Sequence, residues 1–184
     1  PYTEEVSKDI MVVGGGMSGM TAAKQAADAG YKVTLVEKSD RLGGWATKFK
    51  KVFPKHPPYE SLEDSGVENM IKQVEGHENI TVKTGCEVKR TTGQPGQFDV
   101  KLKNGSGETD LKIGSIVLAT GWKPYDAKKL THLGFGSSPD IITNVDMEAM
   151  VMNGGVKRPS DGKPIESIAF IQCAGSRDQD HLPY

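Results

Sequence analysis

The chain has 184 residues, a net charge of −1 and 36% hydrophobic residues, enough for one full domain and part of another in an ordinary globular protein. The near-zero charge gives no sign of nucleic-acid binding, no apolar run approaches the length of a bilayer span, and no stretch reads as a signal peptide. Two cysteines, Cys86 and Cys173, form no C-x-x-C, so neither a redox disulfide nor an iron–sulfur ligand set is visible, and free thiols fit a reducing cytoplasm.

The first residue is Pro1 rather than Met, which reads as a piece of a longer protein, and the polar stretch Pro1 to Lys8 reads as a lead-in. The apolar run Ile10 to Val13 is a buried parallel strand by its continuous hydrophobicity. It enters G-x-G-x-x-G at Gly14, Gly16 and Gly19. Gly14 permits a tight turn, Gly16 lets a pyrophosphate approach the backbone, and Gly19 lets the following helix pack closely. Free N–H groups and the dipole at the start of that helix favour an anion. Ala22, Ala23, Ala26 and Ala27 recur at helical spacing, and Gly30 stops the helix.

A second apolar run, Val33 to Val36, ends in Glu37, where a carboxylate can accept from ribose hydroxyls and repel a 2′-phosphate. A lone G-x-G-x-x-G is a weak signal. This one has the strand before it, the helix after it and the acid at the required distance. The doublet Gly43-Gly44 follows. Between Trp45 and Pro58, lysines and prolines make a basic loop, either a solvated one or one that lies over a cofactor.

Ser61 to Glu75 reads as a helix capped by Ser61, with Gly76 as its stop, and Ile80 to Lys83 as a short strand. Glu87 to Thr92, Gln97 to Lys103 and Glu108 to Lys112 alternate in polarity and are separated by turn signals, the pattern of a three-stranded antiparallel meander. Ser115 to Ala119 is another buried strand, ended by Thr120-Gly121. In the tail, Asn144 caps a short helix through Met152, and Ser167 to Gln172 reads as a strand leading to Cys173, a partly buried thiol. No Ser-His-Asp set, metal-ligand spacing or paired carboxylates are present, so no catalytic or metal-binding residue is assigned. His56, His77, His132 and His181 read as surface residues.

The pattern from Gly14 through Ala23, Gly30, Val33 and Glu37 to Gly43-Gly44 resembles the FAD fingerprint of flavoproteins of the glutathione-reductase and thioredoxin-reductase type. The second signature of that group, A-T-G-x-x-P, matches Ala119 to Pro124. The resemblance implies an α/β Rossmann-type FAD-binding domain with a parallel sheet and an antiparallel meander. It covers residues 1–124, with residues 125–184 an extension and the start of an incomplete second domain. FAD is the implied cofactor, held by Gly14, Gly16, Met17, Ser18, Gly19, Glu37, Lys38, Gly43, Gly44, Trp45, Ala119, Thr120 and Gly121, with the backbone of Val88 at the adenine.

VEKSDRLGG followed by WATKFKKVFPKHPPY, and IQCAGSRD followed by HLPY, resemble flavoproteins related to the A-type subunit of heterodisulfide reductase. Within that family they are most similar to the large flavoprotein subunits of the quinone-interacting membrane-bound oxidoreductase complexes of sulfate reducers. The resemblance implies a flavin-dependent oxidoreductase that relays electrons between iron–sulfur or quinone-linked partners. Those partners are other subunits and iron–sulfur domains outside this chain, in a cytoplasmic protein that reaches the membrane only through them. The cysteines that A-type subunits often carry after their G-G doublet are absent here between Gly44 and Tyr59. Two other readings stay open: a pyridine-nucleotide disulfide oxidoreductase fragment, which should show a redox cysteine pair and a second G-x-G-x-x-G, and a non-catalytic scaffold. The isolated piece is expected to be inactive.

Overall fold

The structure, a computed structural model, describes residues 6–176. The chain divides into two compact units, Pro1–Thr47 with Lys51–Gly121, and Lys48–Lys50 with Trp122–Tyr184.

The first unit is built on a parallel sheet. β1 (Ile10–Val13) pairs with β2 (Val33–Val36) on one side and β7 (Ser115–Leu118) on the other, and β3 (Ile80–Lys83) pairs with β2, giving the order β3-β2-β1-β7. Alternation along the strands sends side chains to two cores. Val12, Val33, Leu35 and Ile80 meet α1 (Met17–Asp28) through Met20, Ala23 and Ala27, and α2 (Val67–Glu75) through Val67, Ile71 and Val74. Met11 and Val36 face the other way, onto Cys86, Val100, Leu102 and Ile113 of a second sheet. That sheet is an antiparallel meander of β4 (Cys86–Gln94), β5 (Gln97–Asn104) and β6 (Gly107–Ile113), with a register shift between Val88 and Arg90. Helices, parallel sheet and meander therefore form three layers, and β1 is covered on both faces because both its neighbouring layers are apolar toward it.

The helix expected from Ser61 instead begins at Val67. Gly66 precedes it with φ +70°, a left-handed conformation that interrupts any helix running in from Ser61. The residues before it are held by a two-way backbone bridge, with Val52 N–H donating to Glu63 O (2.9 Å) and Glu63 N–H to Val52 O (3.0 Å). His77 is not a simple surface residue: its side chain is half-buried, with Nε2 at 3.3 Å from Asp28 Oδ1 and Nδ1 accepting from Asn79 N–H. His181, Arg177, Asp178 and the HLPY segment lie outside the described residues.

In the second unit, α3 (Asn144–Met152) is capped by Thr143 rather than Asn144. Thr143 Oγ1 accepts from Asp146 N–H, and the Asp146 carboxylate accepts in return from Thr143 N–H, a reciprocal box that satisfies two end donors. Ser167 to Gln172 is not a strand. Among the described residues no strand pairs with it, and Ile168, Phe170 and Ile171 are exposed. An apolar run forms a strand only where a ladder partner takes its backbone groups. With no sheet to cover it, Cys173 is exposed, not partly buried.

Gly66→Ala should lower the unfolding free energy of the first unit by about 1–2 kcal/mol, the cost of a left-handed residue with a Cβ. Ser61→Ala, at an exposed loop position, should stay within about 0.5 kcal/mol. Urea unfolding of the two variants checks this, and an equal loss for both would mean that Ser61 does cap the helix.

Candidate functional site

The site forms where β1, β2 and β7 end and α1 begins. The chain leaves β1 at Gly14, whose N–H donates to Val36 O (2.8 Å). A Cβ on Gly14 would lie 2.2 Å from Ala119 O, and one on Gly19 would lie 1.8 Å from Gly14 O. Both glycines are therefore required by close backbone approach: Gly14 against the end of β7, and Gly19 where the first turn of α1 presses on the loop. Gly16 is different. It caps α1 with extended backbone, and a Cβ there would meet nothing within 4 Å. No side chain caps this helix end and no acid stands in its first turn. Its N-terminal donors and positive dipole end are thus left for an external anion.

Glu37 sits at the end of β2 and is 7% exposed. Its Oε2 accepts from Gly15 N–H (2.6 Å) and its Oε1 from Ser39 N–H (2.8 Å). Burial pushes its carboxyl toward protonation, but the hydrogen bonds from Ser39 and Gly15, aided by the charge of Lys38, outweigh it and hold the pKa below the usual glutamate value. Its backbone is equally engaged. Glu37 N–H donates to Lys83 O (2.9 Å) and Glu37 O accepts from Cys86 N–H (3.0 Å), so this residue joins β2 to β3 and to the start of the meander.

The doublet returns to the same place. Gly43 N–H donates to Gly15 O (2.8 Å), and Gly16 and Gly43 form an isolated parallel bridge. Leu42, fully buried, fills the space beneath Gly15. Thr120 follows Ala119 directly beside Gly14. The fold thus brings Gly14, Gly16, Gly19, Glu37, Gly43, Gly44, Ala119 and Thr120 together. Met17 opens α1, half-buried, and Ser18 and Lys38 are exposed beside the loop. Trp45 is half-buried in the single turn that follows the doublet, and Gly121 is exposed at the end of the unit. Val88 lies two residues along β4 from Cys86, with its side chain packed into the meander core. Gly15, Ser39 and Leu42 are site residues that the sequence pattern did not single out. Ser39 and Gly15 take part through their backbone N–H groups, so residue type carried no signal for either.

The residues fit a dinucleotide. Within the Gly14 to Gly19 loop the cradle is open only at Gly16, where a pyrophosphate needs room. The buried carboxylate has lone pairs left after its two backbone bonds, which ribose hydroxyls can use. Among the described residues no group of His, Cys, Asp and Glu could hold a metal ion, and no helix is long and apolar enough to cross a membrane.

A three-layered α/β unit with a glycine loop on its first βα turn and an acid ending its second strand is a dinucleotide-binding domain. The chain matches the pyridine nucleotide-disulphide oxidoreductase family over residues 2–153 and belongs to it. It is 26% identical to the A-type subunit of the ferredoxin/F(420)H(2)-dependent CoB-CoM heterodisulfide reductase of Methanosarcina acetivorans, over 95% of this chain and 32% of that protein. It is 27% identical to an A-type iron-sulfur subunit of the CoB–CoM heterodisulfide reductase of Methanopyrus kandleri, over 94% of this chain and 38% of that protein. The chain therefore spans about a third of the length of these relatives. The match to the Methanosarcina protein runs over 257 residues against the 184 of this chain, so that relative carries segments inside the shared span that are missing here. Among solved structures, the thioredoxin reductase of T. acidophilum superposes with a TM-score of 0.52 at 20% identity, over 65% of this chain and 38% of that one. That of Lactococcus lactis gives 0.51 at 22%, over 65% and 37%. These likenesses are of fold: a parallel sheet backed by a three-stranded antiparallel sheet, as in thioredoxin-reductase-like FAD oxidoreductases.

Because the Glu37 pKa is depressed in the folded chain, its contribution to stability is complete above the ordinary glutamate range and lost as pH falls through the lower folded value. Glu37→Gln keeps one acceptor oxygen and loses the charge, so it should cost about 1–3 kcal/mol at neutral pH. It should also remove part of the acid loss seen in the unsubstituted chain. Thermal unfolding of both proteins from neutral to acid pH measures this. Parallel pH curves would show that the carboxylate is not held in its charged form.

Proposed function

We propose that this chain is the FAD-binding domain of an electron-transfer oxidoreductase related to the A-type subunit of heterodisulfide reductase. The observation that carries the reading is the contrast within one loop: Gly14 and Gly19 are closed by backbone, while Gly16 opens onto free space at an uncapped helix start. In this reading Gly16, Met17 and Ser18 bind the pyrophosphate, Glu37 and Lys38 the adenosine ribose side, and Gly43, Gly44, Trp45, Ala119, Thr120 and Gly121 the flavin side. Val88 supplies a backbone contact to the adenine. The FAD domain covers residues 1–124, and residues 125–184 begin a second domain.

Bound flavin supplies the electron-accepting and electron-donating chemistry. This chain's own residues bind it and set its surroundings. The helix start neutralises pyrophosphate charge, and Glu37 excludes a 2′-phosphate by repulsion. The family contains pyridine-nucleotide-dependent disulfide reductases, but this chain carries one dinucleotide fingerprint, and its only cysteines, Cys86 and Cys173, make no redox pair motif. In this reading electrons pass to and from partners, either iron–sulfur subunits or quinone-linked ones. The relatives support this, since they include an iron-sulfur protein and a ferredoxin-dependent reductase. IQCAGSRD and the segment after Gly44 support a closer kinship with the flavoprotein of the quinone-interacting complexes of sulfate reduction. In that setting the chain is cytoplasmic and meets the membrane through its partners.

After reconstitution with FAD and removal of excess, the protein should show flavin absorption bands at one FAD per chain. Gly16→Val should lose them while its far-ultraviolet dichroism is unchanged. A yellow Gly16→Val variant would contradict the assignment of the pyrophosphate site. NADH-driven dye reduction by the unsubstituted chain should not exceed that of free FAD, and steady turnover above it would favour the disulfide-reductase reading.

A further inference from the structure

The doublet Gly43-Gly44 puts two left-handed residues in a row, with φ +107° and +53°, and neither has a side chain to hold it in place. Glycines give up more backbone freedom than any other residue when a turn is fixed. Part of the fixing comes from the first glycine loop. Gly43 N–H donates to Gly15 O, and a Cβ on Gly44 would lie 3.2 Å from Gly16 Cα, so the second glycine rests against the open point of the cradle. The rest comes from one half-buried side chain, Thr47. Its Oγ1 hydroxyl donates to Gly44 O (2.8 Å). Its methyl carbon packs against Gly43 so closely that a Cβ there would overlap it, and Val67 and Ile71 of α2 crowd the same point at 3.1 and 3.2 Å.

We infer that Thr47 is a positioning residue for the bound dinucleotide: its hydroxyl on Gly44 and its methyl on Gly43 hold the doublet against Gly16, so that this side of the site is formed before the ligand arrives. The inference rests on the FAD reading above and adds a residue to it. Thr47 reaches both glycines at once, and its branched Cβ restricts it to few rotamers, so the two contacts are set together. Serine would keep the donor without the methyl, and valine the shape without the donor. The first glycine loop makes a contrast. Gly14 is fixed by the backbone at the end of β7 and Gly19 by Gly14 O, whereas the doublet depends on a side chain three residues further on. A bond that only closed its own turn would matter little to a ligand. Here the Gly44 carbonyl is at an exposed position, where water can replace the hydroxyl, so the empty chain loses little without it. The cost falls on binding, because a freed glycine turn must be ordered again when the ligand settles on it.

The test compares Thr47→Val and Thr47→Ser with the unsubstituted chain, using FAD as the probe and flavin fluorescence as the titration signal. FAD affinity should fall roughly tenfold in Thr47→Val and be largely restored in Thr47→Ser. Melting temperatures without FAD should stay within about 2 °C of the unsubstituted chain for both. The Gly43 amide, followed by NMR hydrogen exchange without FAD, should exchange roughly threefold faster or more in Thr47→Val. Equal FAD affinity in Thr47→Val, an equal loss in Thr47→Ser, an unchanged Gly43 amide, or a large drop in the melting temperature of Thr47→Val would each overturn this inference and leave the FAD reading standing. No FAD uptake by the unsubstituted chain would overturn both.

Discussion

Glu37 is the point on which the first unit depends. Its carboxylate holds Gly15 N–H and Ser39 N–H, and its backbone holds Lys83 O and Cys86 N–H. One residue thus fixes the glycine loop, the turn after β2, the end of β3 and the entry to the meander. A buried charge is costly unless it is hydrogen-bonded, and here charge-assisted bonds to backbone donors meet that cost. In the proposed site the same carboxylate, already ordered, is the group that a ribose meets. Binding does not have to arrange the loop first, which is the energetic advantage of a preorganised site.

The second constraint is distance. Gly14 and Ala119 come so close that any side chain on Gly14 would overlap the β7 backbone, and Gly19 stands in the same relation to Gly14. These contacts draw α1 down onto the sheet, and Ala23 and Ala27 keep the rest of that helix face thin enough to follow. Gly16 lies between them and is free of the constraint. Structure and ligand chemistry therefore ask for glycine at neighbouring positions for different reasons. In the first case the chain itself fills the space, and in the second the space is left open.

Much of this was legible in the sequence because its causes are local. β1, β2 and β3 appear at the expected residues, whereas the last strand of the sheet, expected to be buried over Ser115 to Ala119, spans Ser115–Leu118 and is largely exposed, Leu118 to 75%. The meander strands extend beyond the expected ends by a residue or two, as strand ends commonly do. The failures have tertiary causes. Ser61 looked like a cap because Asp64 follows it, but the bridge from Val52 to Glu63 captures that backbone and Gly66 resets the helix start. Ser167 to Gln172 has the composition of a strand and lacks a neighbour. Of the site, the glycines and the acid were readable from spacing. Gly15 and Ser39 were not, because the carboxylate that joins them acts through backbone N–H groups, which every residue but proline possesses.

The central claim is that a dinucleotide lies on the Gly14 to Gly19 loop between Glu37 and the end of β7. Hydrogen–deuterium exchange with and without FAD tests it most directly. The account predicts FAD-dependent protection confined to four segments: Gly14 to Met20, Glu37 to Trp45, the backbone around Val88, and Ala119 to Gly121. Protection by FAD elsewhere in the chain, or saturating FAD that leaves these segments unchanged, would contradict it.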